Sequence, residues 1–208
     1  LQNQWNSRLG IWNFGASHLH QTLDSTVGFL AKSRNTDSAW MGYQYEQNRH
    51  HLQLNGRFDR LSDLNSKNFL TGAINYVYDI TPAWRVLAGY SNGFAAPSFN
   101  QLYYPPYCYG GYCFDSSNPN LKTEKANYAQ LGVQWAQAHY GARVTYFDTR
   151  YRDKIANDAN YIPQNIARAR AKGVEAHAWY GLNGWNVDAG VTYQEVRDRD
   201  THALLIQI

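Results

Sequence analysis

NYAQLGVQWAQ, residues 127–137, alternates between apolar and polar side chains. Ala129, Leu131, Val133 and Trp135 alternate with Tyr128, Gln130, Gly132 and Gln134. A period of two puts these sets on opposite faces of an extended strand. HLQLNGRF (51–58), KGVEAHAWYG (172–181) and WNVDAGVTYQ (185–194) repeat the pattern. In each, one face is apolar or aromatic, and the other carries amides and charges such as Arg57, Glu175, His177 and Asp188.

Outward from these segments the chain reads as ten strands, at about 2–8, 11–24, 38–46, 49–60, 67–79, 84–93, 123–137, 139–152, 168–181 and 184–197. Several run to a dozen residues, against a usual five or six. The connections alternate in length. Tight ones at 9–10, 47–48, 79–84, 137–139 and 182–185 are separated by longer ones at 25–37, 61–66, 94–122, 152–168 and 196–205. Long strands with short turns at one end and long loops at the other describe an all-β, antiparallel up-and-down meander from a large transmembrane β-barrel.

Composition supports that class. Aromatics make up 15% of the 208 residues and charged residues only 17%, whereas about 25% charged is usual for soluble domains. Mean hydropathy is nevertheless −0.60, because Asn, Gln, Ser, Thr and Gly stand where Lys and Glu otherwise would. No run approaches the roughly 18 apolar residues of a membrane-spanning helix. A net charge of +3 is dispersed through the sequence and argues against nucleic acid as a partner. Tyr76, Tyr78 and Trp84 flank one tight turn, Trp135 and Tyr140 the next, and Tyr180 and Trp185 a third. Hairpin cross-strand pairing puts aromatics there, and so does an interfacial girdle. Recurrence at three successive turns favours the girdle over a soluble sandwich.

Residues 90–125 stand apart. They hold six of the seventeen tyrosines, four of the six prolines and both cysteines. So many aromatics oppose disorder, and loops of such length without internal structure usually bind something.

Four motifs in order then resemble the C-terminal half of TonB-dependent outer-membrane receptors. They are Tyr90, Gly93, Phe94, Ala96 and Pro97; Asn118, Pro119, Leu121 and Glu124; Asp153 and Ile155; and Asn165, Ala169, Gly173, Val174 and Glu175. The resemblance covers residues 1 to about 200, with the cobalamin receptor subgroup looking closest. It implies a Gram-negative outer-membrane location with lipid around the barrel, a parent barrel of about 22 strands, a plug domain and TonB as the energy-coupling partner. The ligand implied is cobalamin or a similar metal chelate such as a siderophore. Residues 1–208 read as a partial barrel domain, with the plug, TonB box and final strands outside the sequence. An outer-membrane enzyme or adhesin, or a passive porin, are the alternatives.

In that setting the Tyr-rich loop lies on the outer side. Tyr103, Tyr104, Tyr107, Tyr109 and Tyr112 are the candidate ligand contacts, since Tyr offers rigid amphipathic surface at low entropic cost; self-packing of the loop is the alternative. Cys108 and Cys113 frame YGGY, where Gly110 and Gly111 permit a tight reversal, and an oxidising compartment favours a disulfide over a two-cysteine metal site. Asn118–Pro119 reads as a turn, and Glu124 as a partner for an inward-facing Arg. Asp115, Asp153, Asp158 and Asp188 lack calcium-loop spacing, and the seven histidines form no metal-binding pair. No catalytic residues, cofactor or metal site are expected. Arg57, Arg143, Glu175 and Asp188 are expected to face the barrel interior and to lack partners within the segment. If the segment closes on itself, residues 2–8 meet 184–197.

Overall fold

A computed structural model describes residues 2–24, 32–65, 67–158, 160–182 and 184–204. Ten strands form one antiparallel sheet in which sequential neighbours pair. They are β1 (Gln2–Ser7), β2 (Gly10–Leu23), β3 (Lys32–Gln47), β4 (His50–Leu61), β5 (Asn68–Asp79), β6 (Trp84–Ala95), β9 (Glu124–Ala136), β10 (Tyr140–Asn157), β11 (Pro163–Leu182) and β12 (Trp185–Asp198). Among the described residues β1 and β12 are the free edges and do not pair with each other. The closure of 2–8 on 184–197 therefore does not occur.

All ten expected strands are present, but three are longer at the long-loop end. β3 begins at Lys32, β10 runs to Asn157 and β11 begins at Pro163, so much of 32–37 and 152–168 is ladder rather than loop. There the strands pass into water, both faces become polar and the alternation fades, while backbone pairing continues. The expectation that 25–37 forms a loop falls partly on residues 25–31, outside those described. The tight turn at 182–185 includes Asn183, which is likewise outside them.

The register sorts side chains into two faces. Trp12, Tyr43, Leu54, Ile74, Val86, Val133, Val144, Ala176 and Val191 share one face. Large apolar groups there are open to the surroundings: Met41 56%, Leu70 74%, Leu131 62% and Val191 68% exposed. The other face carries Gln53, Asn55, Asn75, Gln130 and Gln134. A sheet with an uncovered apolar face is built for lipid, not water.

Near the tight turns the apolar face is belted by aromatics that pair both within a hairpin and from one hairpin to the next. Trp12 meets Tyr43 at 4.4 Å between ring centres, Trp84 meets Trp135 at 6.3 Å, and Trp135 meets Tyr140 at 5.4 Å. Tyr140 lies opposite Tyr180. Contacts running from one hairpin to the next make a continuous girdle. At the β1–β2 turn Gly10 has φ +146°, and a Cβ there would lie 2.3 Å from the Gln44 carbonyl oxygen. No larger residue fits without moving β3.

Candidate functional site

The small buried core sits at the long-loop end, on the polar face. Leu61, Leu64, Phe69, Leu102 and Leu121 form it, with Phe94, Ala96, Tyr103 and Ile155 packed against them. Two of these, Leu102 and Leu121, come from the connection between β6 and β9. That connection is not structureless, as the sequence had suggested. It carries a short helix, α1 (Phe99–Tyr103), and a two-stranded hairpin of β7 (Tyr107–Tyr109) and β8 (Tyr112–Phe114). Ser98 caps α1 by accepting from the Gln101 N–H, and the Gln101 side chain accepts from the Ser98 N–H. This is a reciprocal cap that lets even one turn form. Spacing of Ser98 and Gln101 was the available signal.

The four motifs of the sequence converge here and hold the loop down. Asn118 Nδ2 donates to the Pro163 carbonyl at 3.0 Å. Asn165 Oδ1 accepts from the Lys122 N–H at 2.8 Å, and its Nδ2 donates to the carbonyls of Lys122 and Asp153 at 3.0 and 2.7 Å. The Glu124 carboxylate accepts from the Ile155 N–H at 2.6 Å. It therefore caps a strand backbone instead of pairing with an inward Arg. Pro97 is fully buried, and its carbonyl accepts from Arg34 at 2.9 Å. Arg34, itself 7% exposed, also holds Asp63 at 2.7 Å and lies 5.0 Å from the Phe99 ring centre. One guanidinium thus links β3, the β4–β5 turn and the start of the loop. Sequence reasoning missed it, because nothing local marks Arg34.

The candidate tyrosines separate into two groups. Tyr103 packs on the core, with Lys32 Nζ 4.6 Å from its ring centre. Tyr104 is 39% exposed, and its carbonyl accepts from the Ser117 hydroxyl. At the hairpin tip Tyr109 and Tyr112 pair across Gly110–Gly111 and are each 75% exposed. Tyr107 lies opposite Phe114. Gly110 (φ +59°) and Gly111 (φ +83°) make the primed turn that only such residues adopt readily. Cys108 and Cys113, directly opposed, form a disulfide with Cα atoms 4.0 Å apart.

Below the loop the polar face is a wall of hydrogen-bonding groups, and its charges are largely paired within the sheet. Arg57 holds Asp59 at 2.9 Å and donates to Ser38 at 3.0 Å. His51 and Arg85 share Asp79, and His177 meets Asp188 at 3.0 Å. Arg57 and Asp188 therefore have partners, contrary to expectation: Asp59 on the same strand supplies one, and His177 on the neighbouring strand the other. Gln21, Arg34, Thr36, Arg57, Thr71 and Ala96 line a cavity of about 430 Å³ under the loop. Among the described residues no three His, Cys, Asp or Glu side chains gather to hold a metal.

A polar-walled, lipid-faced meander with tight turns at one end and an anchored, aromatic loop at the other is the wall of a large membrane β-barrel. The chain belongs to the TonB dependent receptor-like β-barrel family, whose model matches residues 2–205. It is 28% identical over 138 residues to the vitamin B12 transporter BtuB of Photobacterium profundum, covering 62% of this chain and 21% of that protein. It is 26% identical over 190 residues to the iron-regulated outer membrane virulence protein of Vibrio cholerae, covering 87% of this chain and 28% of that one. The chain thus spans a fifth to little more than a quarter of these relatives. In fold it is similar to the siderophore receptor PirA from Pseudomonas aeruginosa (TM-score 0.76, 19% identity, 94% of this chain and 39% of that one). The copper transporter OprC is likewise similar (TM-score 0.73, 17% identity, 97% of this chain and 37% of that one).

Proposed function

We propose that this chain is the loop-bearing wall of a Gram-negative outer-membrane receptor that takes up cobalamin or a similar metal chelate, such as a siderophore, using energy delivered by TonB. The observation that carries the proposal is the anchored loop. Core packing of Leu102 and Leu121 fixes the loop's base over the polar face, while Tyr109 and Tyr112 project from a disulfide-closed hairpin. A chelate arriving from outside meets these rings, then passes to the amide- and Arg-lined wall beneath. Relatives named for vitamin B12 and for iron regulation agree with a bulky chelate as the ligand class. The tight-turn end faces the periplasm and the Tyr-rich loop faces outward.

The test uses the complete gene product purified in detergent. Titration with cyanocobalamin and with ferric siderophores should show saturable binding of one class. The Tyr109→Ala/Tyr112→Ala pair should weaken it about tenfold or more, as for exposed aromatic anchors. Passage of small solutes with no saturable chelate binding would instead make the barrel a porin.

A further inference from the structure

The ladder between β5 and β6 stops early. It runs from the Asp79–Arg85 pair to the Gly72–Asn92 pair and ends there, although β5 reaches back to Asn68 and β6 on to Ala95. Residues 68–71 pair only with β4, and 93–95 only with β9. Elsewhere among the described residues, neighbouring strands pair to within one residue of the shorter strand's end. The sheet therefore forks at its outer end, with β1–β5 on one prong and β6 and β9–β12 on the other. An amide side chain bridges the crotch of the fork: Asn92 Oδ1 accepts from the Gly72 N–H at 2.8 Å, and its Nδ2 donates to the Leu70 carbonyl at 3.1 Å. Beyond it Phe69 and Phe94, one from each prong, stack with ring centres 4.1 Å apart. Leu70, 74% exposed, is the last outward apolar residue of β5, and Asn68 follows it. Unpaired backbone at this margin reaches water, where it costs little, rather than hydrocarbon.

Two cavities meet in the fork. The one of about 430 Å³ beneath the loop, with Arg34 and Arg57 in its wall, shares Thr71, Asn92, Gly93 and Phe94 with a second of about 270 Å³. The second is lined on its far side by Asn68, Leu70, Lys125 and Asn127, which the register places on the outer face. The Tyr-rich connection straps the two prongs together. On one prong Arg34 holds the Pro97 carbonyl, Lys32 Nζ lies 4.6 Å from the Tyr103 ring centre, and Leu102 and Leu121 pack with Leu61, Leu64 and Phe69. On the other prong Asn165 clamps Lys122, and Glu124 accepts from the Ile155 N–H. Packing of the connection thus does at the fork what ladder hydrogen bonds do elsewhere in the sheet.

We propose that the β5–β6 fork is a gate in the barrel wall and that the Tyr-rich connection is its latch. With Leu102 and Leu121 seated, the prongs are held together. Lifting the connection parts them and opens a side entrance to the cavity beneath, lined by Asn68, Thr71, Asn92 and Asn127 and so suited to hydrated, hydrogen-bonding solutes. The inference needs the barrel wall alone and does not depend on which chelate the loop captures. Nitroxide labels on the complete protein in detergent test it, since Cys108 and Cys113 are joined and take no label. Leu70→Cys/Lys125→Cys straddles the fork. Lys125→Cys/Arg168→Cys spans as many strands within one prong, through Arg152. Leu102→Ala/Leu121→Ala should lengthen the first distance by about one strand spacing, ~4.8 Å, and leave the second unchanged. Asn92→Val, which leaves the core intact, should broaden the first distance alone. Its effect decides the matter if the alanine variant loses heat-modifiable migration. A first distance unmoved by Asn92→Val and by any folded alanine variant would overturn the gate. Equal lengthening of both pairs would also overturn it, because the sheet would then be loosening as a whole.

Discussion

Asn165 donates to the main-chain carbonyl of Asp153 at 2.7 Å, and Asp153 holds a left-handed backbone, φ +53°, within β10. Such a conformation costs a non-glycine residue about 1 kcal/mol or more. The Asn165 amide offsets it from the neighbouring strand while also clamping Lys122 of the loop on both backbone atoms. A kink in one strand and the base of a loop are thereby fixed by one side chain.

Replacing Asn165 with Ala should release that clamp. Three partners lose their bonds, and the outer end should weaken by about 1–3 kcal/mol. Hydrogen exchange should speed up at 118–124 and leave the tight-turn half of β9 unchanged. Uniform exchange across β9 would mean the clamp is ornamental.

Arg34 offers a sharper contrast. Arg34→Met strands Asp63, whose side chain is only 10% exposed, and breaking a buried pair on one side costs about 3–5 kcal/mol. Protease should then cut within 96–123 much sooner. Adding Asp63→Leu should restore much of the protection. If the double variant is cut as fast as Arg34→Met, the Pro97 and Phe99 contacts matter more than the ion pair.

Serines at Cys108 and Cys113 should leave the sheet alone. The closed ring is only a few residues long, so its entropic stabilisation is modest. Chelate affinity should fall while heat-modifiable migration persists. Loss of assembly would assign the disulfide a folding role instead. Non-reduced peptide mapping of protein from the envelope should show Cys108 linked to Cys113.

Expressed by itself, this stretch should not be a soluble monomer. Among the described residues β1 and β12 present unpaired edges and one face is apolar, which in water invites association and in lipid leaves backbone groups unsatisfied. A monomeric, cooperative melt without detergent would contradict the lipid-facing assignment.

Strand number, order and face were legible in the sequence because each strand crosses an apolar medium on one side and a polar one on the other, and alternation records that. The signal stopped where the environment did. Lys32–Asp37 and Pro163–Arg168 pair as strands beyond the apolar band, but with no apolar medium their polar residues looked like loop. The helix Phe99–Tyr103 was missed because a single turn leaves no period to detect, though Ser98 and Gln101 hinted at it. The motifs were visible as a resemblance, yet their convergence on Asn165 and Glu124 depends on contacts some 30–45 residues apart that spacing does not encode. Arg34 was invisible for the same reason.

Ligand capture by the Tyr-rich loop requires the long-loop end of the sheet to face outward. Asn120→Cys, in the Tyr-rich connection, and Ala138→Cys, in the β9–β10 turn, are both exposed positions. In intact cells making the complete protein, a membrane-impermeant maleimide should label Asn120→Cys readily and Ala138→Cys only after the outer membrane is opened. Labelling of Ala138→Cys in intact cells, with Asn120→Cys protected, would place the tight turns outside and the Tyr-rich loop in the periplasm.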